Sequence, residues 1–297
     1  MTRLLLTITV LLTCGLAQAQ KLPTAFKSIE VVPGIYMLEG DGGFAGGNIT
    51  LLVGDDRVVL IDDGLEPIAP ALIEAAGDLT GRAIDFVINT HIHLDHTGGN
   101  AALSDAGATI FAHDNNRSRM LADIDAYGRT GTLPFITFSD SVTFHINGQE
   151  AFVYHVTRAH TDGDAVVHFP DSNVIHAGDI LFNGLFPFID LDNGGSYEGF
   201  LHGQREILAL ADDSTIIIPG HGRLASKADL QASIDMMADA GARVKKMVDA
   251  GKSEEEIVAA NPLALYHDVW NWRFITTERM TRTLVRSLAR TKTLDID

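Results

Sequence analysis

Cysteine is almost missing from this chain: the single one, Cys14, sits within the first twenty residues. With no second cysteine there is no intrachain disulfide framework, and loss of the N-terminal segment would leave no thiolate to ligate a metal. Basic residues are also scarce, 22 Lys and Arg against 39 Asp and Glu, and the formal net charge is −17. A surface of that sign repels nucleic acid phosphates at long range, and no dense Lys/Arg run opposes it, so no nucleic acid partner is expected. Long apolar runs are absent too. The longest, Leu4 to Leu12, spans about ten residues, short of the roughly 20 needed to cross a bilayer. No transmembrane segment is therefore expected. The sequence carries no signal for an oligomeric state.

The first residues read as an address. One positive charge at Arg3 precedes the apolar run, and small and polar residues follow, ending Ala17-Gln18-Ala19. This is the tripartite pattern of a secretory signal with a cut after Ala19, so residues 1–19 are expected to be removed and the product to be periplasmic or secreted. A buried N-terminal helix is one alternative. A lipoprotein anchored through Cys14 is another, weakened because Leu12-Thr13 lacks the very small residue expected before a lipidated cysteine. Residues 20–297 are long enough for one large domain with a full core.

Along that domain, Ile29 to Leu38 and Ile49 to Val53 read as strands. The turn Gly54-Asp55-Asp56 and a further strand Val58 to Ile61 complete a hairpin. A helical pattern over Pro67 to Leu79, the β-rich run Ile84 to Asn89, a helix after Gly99, a strand Thr109 to Ala112 and a helix from about Asn115 to Tyr127 follow. From Ile136 to Ala177 the chain is mostly short β-type runs: Ser141 to Ile146, Ala151 to Val156, Ala165 to Phe169 and Val174 to Ala177. Tyr197 to Ala211 reads as a helix, Thr215 to Ile218 as a strand, and Ser226 to Ala250 as a long helix capped by Ser226. The tail is helical near Ser253 to Ala260 and Thr277 to Thr291. Two β-rich blocks, each with helices, suggest an α/β architecture: a two-sheet sandwich flanked by helices on both sides. No short-period repeat, low-complexity stretch or linker divides it.

The strongest local signal is His91-Ile92-His93-Leu94-Asp95-His96, directly after the strand Ile84 to Asn89. Side chains at i and i+2 of an extended segment share a face, so His91 and His93 can bind one metal. Asp95 and His96, where the chain turns, can serve a second.

The run Thr90 to Asn100, THIHLDHTGGN, resembles the metal-binding motif of the metallo-β-lactamase superfamily, in the form also found in glyoxalase II-like hydrolases. Three further segments match that family's pattern in order: Ala159-His160-Thr161-Asp162-Gly163-Asp164, Ala177-Gly178-Asp179 and Pro219-Gly220-His221-Gly222. The resemblance implies the αββα sandwich of that fold and two metal ions per chain. It places His91, His93 and His160 on the first, Asp95, His96 and His221 on the second, and Asp179 between them. All these ligands offer nitrogen or oxygen, which suits zinc and also admits iron or manganese. Asp62, in Ile61-Asp62-Asp63-Gly64, resembles the family's strand-end aspartate that orients a ligand. Asp164 would brace the loop of His160. Two such metals would activate a shared water and polarise the scissile group, which makes the implied reaction the hydrolysis of a small-molecule substrate. His113, His145, His155, His168, His176, His202 and His267 match no motif and are expected in surface or core positions.

The ligand set departs from the best-known β-lactamases of the family, which carry an arginine where this chain has His96 and a cysteine about where it has Asp179. Another lactamase branch usually lacks the bridging aspartate. The resemblance is therefore nearer to glyoxalase II and the lactonases, whereas export favours a substrate met outside the inner membrane, such as a β-lactam. Three readings stay open: a hydrolase of amide, ester or lactone bonds, a phosphodiesterase or sulfatase on the same metals, and a zinc-binding accessory protein without turnover. The segment Ile180 to Ile189 bears on substrate. Gly184 and Pro187 interrupt regular structure there, so Phe182, Phe186 and Phe188 are expected on a loop near the metals, with core packing the alternative. On the loop reading Asn183 could donate a hydrogen bond to a developing oxyanion, and Phe186→Ala would raise KM more than it lowers kcat.

Overall fold

The computed structural model describes residues 21–127 and 132–294. The expected signal segment, Cys14 included, lies outside the described residues. Thirteen strands form two sheets among those residues. The first sheet runs in chain order: β1 (Phe26–Val32), β2 (Ile35–Gly40), β3 (Ile49–Leu52), β4 (Val59–Ile61), β5 (Phe86–Ile88), β6 (Thr109–His113) and β7 (Ile136–Phe138). Pairing is antiparallel from β1 to β4 and parallel from β4 to β7. The parallel steps need crossovers, supplied by α1 (Ala69–Thr80), by α2 (Leu94–Thr97) with α3 (Asn100–Asp105), and by α4 (Asp114–Ala122) with α5 (Ile124–Tyr127).

The second sheet has the order β13-β12-β11-β10-β9-β8. Its strands are β8 (Ser141–Ile146), β9 (Gln149–His155), β10 (Ala165–Phe169), β11 (Val174–Phe182), β12 (Ile216–His221) and β13 (Ala225–Ser226). Only β11 and β12 pair in parallel, with α6 (Tyr197–Leu210) between them in the chain. The remaining helices are α7 (Lys227–Asp249), α8 (Glu254–Ala260), α9 (His267–Trp270) and α10 (Thr277–Leu294). Ser226 caps α7 as read from the sequence, in a reciprocal capping box with Asp229. Among the described residues no helix is long and apolar enough to cross a membrane.

The layers follow from the period-2 pattern of the strands. Val59 and Ile61 join Met37, Val153, Val167, Phe169 and Ile218 in a core between the sheets. Leu60, between them in sequence, faces the other way and packs with Val87, Ile110, Leu72 and Ala76 under α1. Ile175, Ala177 and Ile217 meet Phe200, Met237, Val244, Met280 and Leu284 on the outer face of the second sheet. Four layers result, helices outside two sheets, as the αββα expectation required.

One expected strand is two. The run Ile29 to Leu38 is broken at Pro33-Gly34 into the β1–β2 hairpin. Pro33 has no amide hydrogen for a ladder, and Gly34 turns the chain at φ +84°, where an added Cβ would meet the Val53 carbonyl oxygen at 2.9 Å.

Candidate metal centre

Strand ends carry the site. Parallel β4 and β5 run out side by side into Asp62 and into Asn89-Thr90-His91, while β12 ends on His221. Asp179 lies within β11, where the register against β12 shifts on both sides of Gly178, so the local bulge re-aims the aspartate. Its neighbour across the pair must be small. A Cβ on Gly220 would fall 2.0 Å from Asp179 Oδ1.

The seven residues named from the sequence converge. His91, His93, His160 and Asp179 offer ligand atoms all within 4.8 Å of one another, and so do Asp95, His96 and His221. Asp179 also lies beside the second group, with His96 Nε2 at 3.2 Å from Oδ1 and His221 Nε2 at 3.4 Å from Oδ2. A third grouping, Asp62 with His91 and His96, is geometrically close, but both Asp62 oxygens are already committed. They accept from Thr90 N at 2.7 Å, from Thr90 Oγ1 at 2.8 Å and from His96 Nδ1 at 2.7 Å. Asp62 holds its strand-end position at φ +61°, an uncommon conformation for a residue with a Cβ.

The far nitrogens of four imidazoles are tethered in a way that leaves the near nitrogen its lone pair. His96 donates Nδ1–H to Asp62. His160 donates Nδ1–H to the Phe188 carbonyl at 2.7 Å. His91 Nδ1 lies 3.0 Å from Thr90 Oγ1, whose own proton goes to Asp62. His93 is turned the other way: Nε2 meets Asp190 Oδ2 at 2.8 Å, so Nδ1 faces inward. The fifth ring, His221, is held by stacking on Phe182, with centroids 5.0 Å apart, and on Phe44 at 6.2 Å.

Those inward atoms fit a cation. His93 Nδ1 and His160 Nε2 lie 2.8 Å apart, and His96 Nε2 and His221 Nε2 3.4 Å apart. Two ligands at tetrahedral bonds of about 2.0–2.1 Å to one ion are separated by roughly 3.3 Å. Buried His91 Nε2 and Asp179 Oδ1 have no hydrogen-bond partner, a cost that a bound ion removes. Charge agrees. Burial pushes His160 down to about 4, keeping it a neutral donor. Burial also lowers His221, but Asp179 and Asp95 outweigh it and carry the ring up to about 9. The carboxylates thus demand positive charge at their centre.

Other expectations fare differently. Asp164 accepts from Thr161 N at 2.8 Å and from Thr161 Oγ1, closing the loop that bears His160. His176 is buried, pairs with Thr50 Oγ1 at 2.8 Å, and reaches within 3.7 Å of Asp62 without facing the centre. His113 and His155 stack on each other at 3.8 Å. His145 and His202 have side chains 72% and 69% exposed. The oxyanion role for Asn183 does not hold: its Nδ2 donates to the carbonyls of Arg223 and Leu224, so its donors brace the turn after His221. The reading of Phe186 as a pocket wall is corrected as well. That ring is fully buried in the helical core, and its backbone is pinned by Trp270 O and Trp272 Nε1.

Phe182 and Phe188 of the same segment do line the cavity, and further residues complete the wall. A cavity of about 460 Å³ opens beside His93, Asp95, Asp179 and His221, and its apolar lining includes Phe44, Phe182, Phe188, Tyr127, Trp272 and Phe274. Sequence reasoning missed Trp272 and Phe274 entirely. It also missed Asp190, whose Oδ1 accepts from the amides of Asp192 and Asn193 while Asn193 Nδ2 donates to Oδ2. The only available signal was the turn-dense run Asp190 to Gly195.

Known proteins resemble this chain in sequence and in fold. The family model described as the metallo-beta-lactamase superfamily matches residues 42–221. The hydroxyacylglutathione hydrolases of Brucella ovis and Brucella abortus are each 27% identical over 210 residues, covering 66% of this chain and 74% of theirs. Among solved structures, a metallo-beta-lactamase from Pontibacter korlensis superposes with a TM-score of 0.63 at 17% identity, covering 72% of this chain and 99% of that one. A stereoselective inverting sec-alkylsulfatase from Pseudomonas sp. gives 0.68 at 17%, covering 92% of this chain and 52% of its own. These structural likenesses speak to the fold, and the family match to the chemistry. The chain belongs to the metallo-beta-lactamase superfamily and is a metal-dependent hydrolase.

Proposed function

We propose that this protein is an exported hydrolase of a small carbonyl compound, an amide, ester or lactone with β-lactams included, working on two zinc ions. One observation carries the metal assignment: far-side acceptors fix the tautomers of His91, His93, His96 and His160 so that their free nitrogens meet Asp179 in one small volume. His91, His93 and His160 would hold one ion, Asp95, His96 and His221 the other, with Asp179 shared. When bound, two such ions supply Lewis acidity toward a carbonyl oxygen and a nucleophilic water at neutral pH.

The chain's own groups prepare the rest. Asp62 and Asp190 orient His96 and His93, which keeps the donor atoms in place without rearrangement during turnover. Asp95, with a side chain 28% exposed, is the carboxylate of its group that opens on the cavity. Burial raises it, but His96 and His221 bring it down to about 2, so it stays ionised and can orient the attacking water. The apolar rings lower the dielectric around the site, which strengthens the charge interactions beside them.

A carbonyl substrate is favoured over a phosphodiester or sulfate ester because none of the described lining residues is Lys or Arg. Export is supported by Arg3, the run Leu4 to Leu12 and Ala17-Gln18-Ala19. The test is a screen of metal-loaded protein against ester, lactone, β-lactam, thioester and bis-phosphodiester substrates. The reading expects the carbonyl compounds to react faster; a faster phosphodiester would overturn it. N-terminal sequencing of periplasmic protein should begin at Gln20, and cytoplasmic protein retaining Met1 would refute export.

A further inference from the structure

The match to the family ends at residue 221, yet two rings of the cavity wall, Trp272 and Phe274, come from the segment between α9 and α10. Neither ring is loosely placed. Trp272 Nε1 donates to the Phe186 carbonyl at 2.8 Å, which ties this segment to the loop after β11. Phe274 meets Trp272 edge-on with centroids 5.6 Å apart, and Phe188 likewise at 5.5 Å. Arg279 closes the cluster, with its guanidinium carbon 4.3 Å from the centroid of Phe274 and 5.2 Å from that of Phe188 and its Nη1 on the Phe274 carbonyl at 3.0 Å.

We infer that Trp272 and Phe274 form a preorganised subsite that selects substrates bearing an uncharged aryl or medium-length alkyl group beside the scissile carbonyl. The inference rests on the hydrolase reading above and deepens it. The cavity, about 460 Å³, lies in the range of pockets that enclose a ligand of about 300–1,000 Å³. It is too large for an acetyl-sized substrate alone to fill. Its wall is aromatic and aliphatic, its described lining has no Lys or Arg, and Asp95 and Asp179 stand with the candidate metal ligands at its floor. A charged group laid against that wall, away from the floor, would lose its hydration without a lining Lys or Arg to pair with. An apolar group gains burial, on the order of threefold to fourfold in affinity per methylene. Rings already fixed by Arg279 and by the Phe186 carbonyl lose little freedom when it arrives.

The experiment compares γ-octalactone, γ-butyrolactone and γ-carboxy-γ-butyrolactone as substrates of the metal-loaded protein. In parallel, calorimetry measures binding of 4-phenylbutyrate and succinate. The variants are Trp272→Ala and Phe274→Asp. Phe274 is 47% exposed, so its substitution leaves the core intact, and thermal melting of both variants checks this. The wild type should prefer octalactone to the carboxylated lactone, and phenylbutyrate to succinate, by about tenfold or more. Both variants should bring those ratios toward one. If no lactone reacts but the binding preference is present and is lost in the variants, the subsite stands and the lactone reading falls. If lactones react with no apolar preference, or with one that survives in both variants, the subsite is wrong and the hydrolase reading stands.

Discussion

The floor and the wall of the cavity are built on different principles. The floor is polar, buried and tethered: Asp62, Thr90, Asp190 and the Phe188 carbonyl each hold a histidine by its far nitrogen. The wall is apolar, partly exposed and held by ring contacts with Trp272, Phe274 and Arg279. A displaced donor atom ruins a metal site, whereas a displaced ring only changes what fits. Substitutions in the floor should therefore stop the reaction, and substitutions in the wall should redirect it.

The largest effect is expected at the shared carboxylate and its partner. Asp179→Ala and His160→Ala should bring turnover to background and lower the bound metal, measured by steady-state assay and elemental analysis together. Full metal content with full activity in either variant would dissolve the distinction between floor and wall. Next comes Asp190→Ala, which leaves His93 free to turn. A loss of about 10–100-fold in metal affinity or activity is expected, and an unchanged metal titration would show that the His93 tautomer is not held from Asp190.

Behind the wall stands Phe186, fully buried. Phe186→Ala should cost about 3–5 kcal/mol of stability in denaturant unfolding. A shift in KM with stability intact would return Phe186 to the pocket. The smallest effect is expected at His145, whose side chain is 72% exposed. His145→Ala should alter stability by no more than about 0.5 kcal/mol and leave metal content alone; a loss of metal there would reveal a ligand outside the cluster.

How much of each region was legible follows the same division. The floor was readable because its ligands sit in short motifs: His91 to His96 is one compact run, and His160, Asp179 and His221 follow in matching order. The short β-type runs Val58 to Ile61 and Ala165 to Phe169 disclosed strands of both sheets for the same local reason. The tethers were harder. Asp62 carried a recognisable position, but Asp190 reaches His93 across 97 residues, and nothing near Asp190 in the chain names its partner. The wall was legible only in part: Phe182 and Phe188 line the cavity as expected, and Trp272 and Phe274 were not foreseen. Phe186 and Phe188 lie two residues apart in one loop, yet one faces the core and the other the cavity. Trp272 arrives from a helical tail whose local pattern shows only helices and turns. Asn183 misled because an amide beside a ligand looks free until the carbonyls of Arg223 and Leu224 are seen to take it.

The central claim is that the seven floor residues hold two ions joined through Asp179. Elemental analysis of the purified mature protein after gentle dialysis tests it most directly. The account predicts close to two zinc ions per chain, whereas a reproducible value of one, unchanged by added zinc, would contradict it.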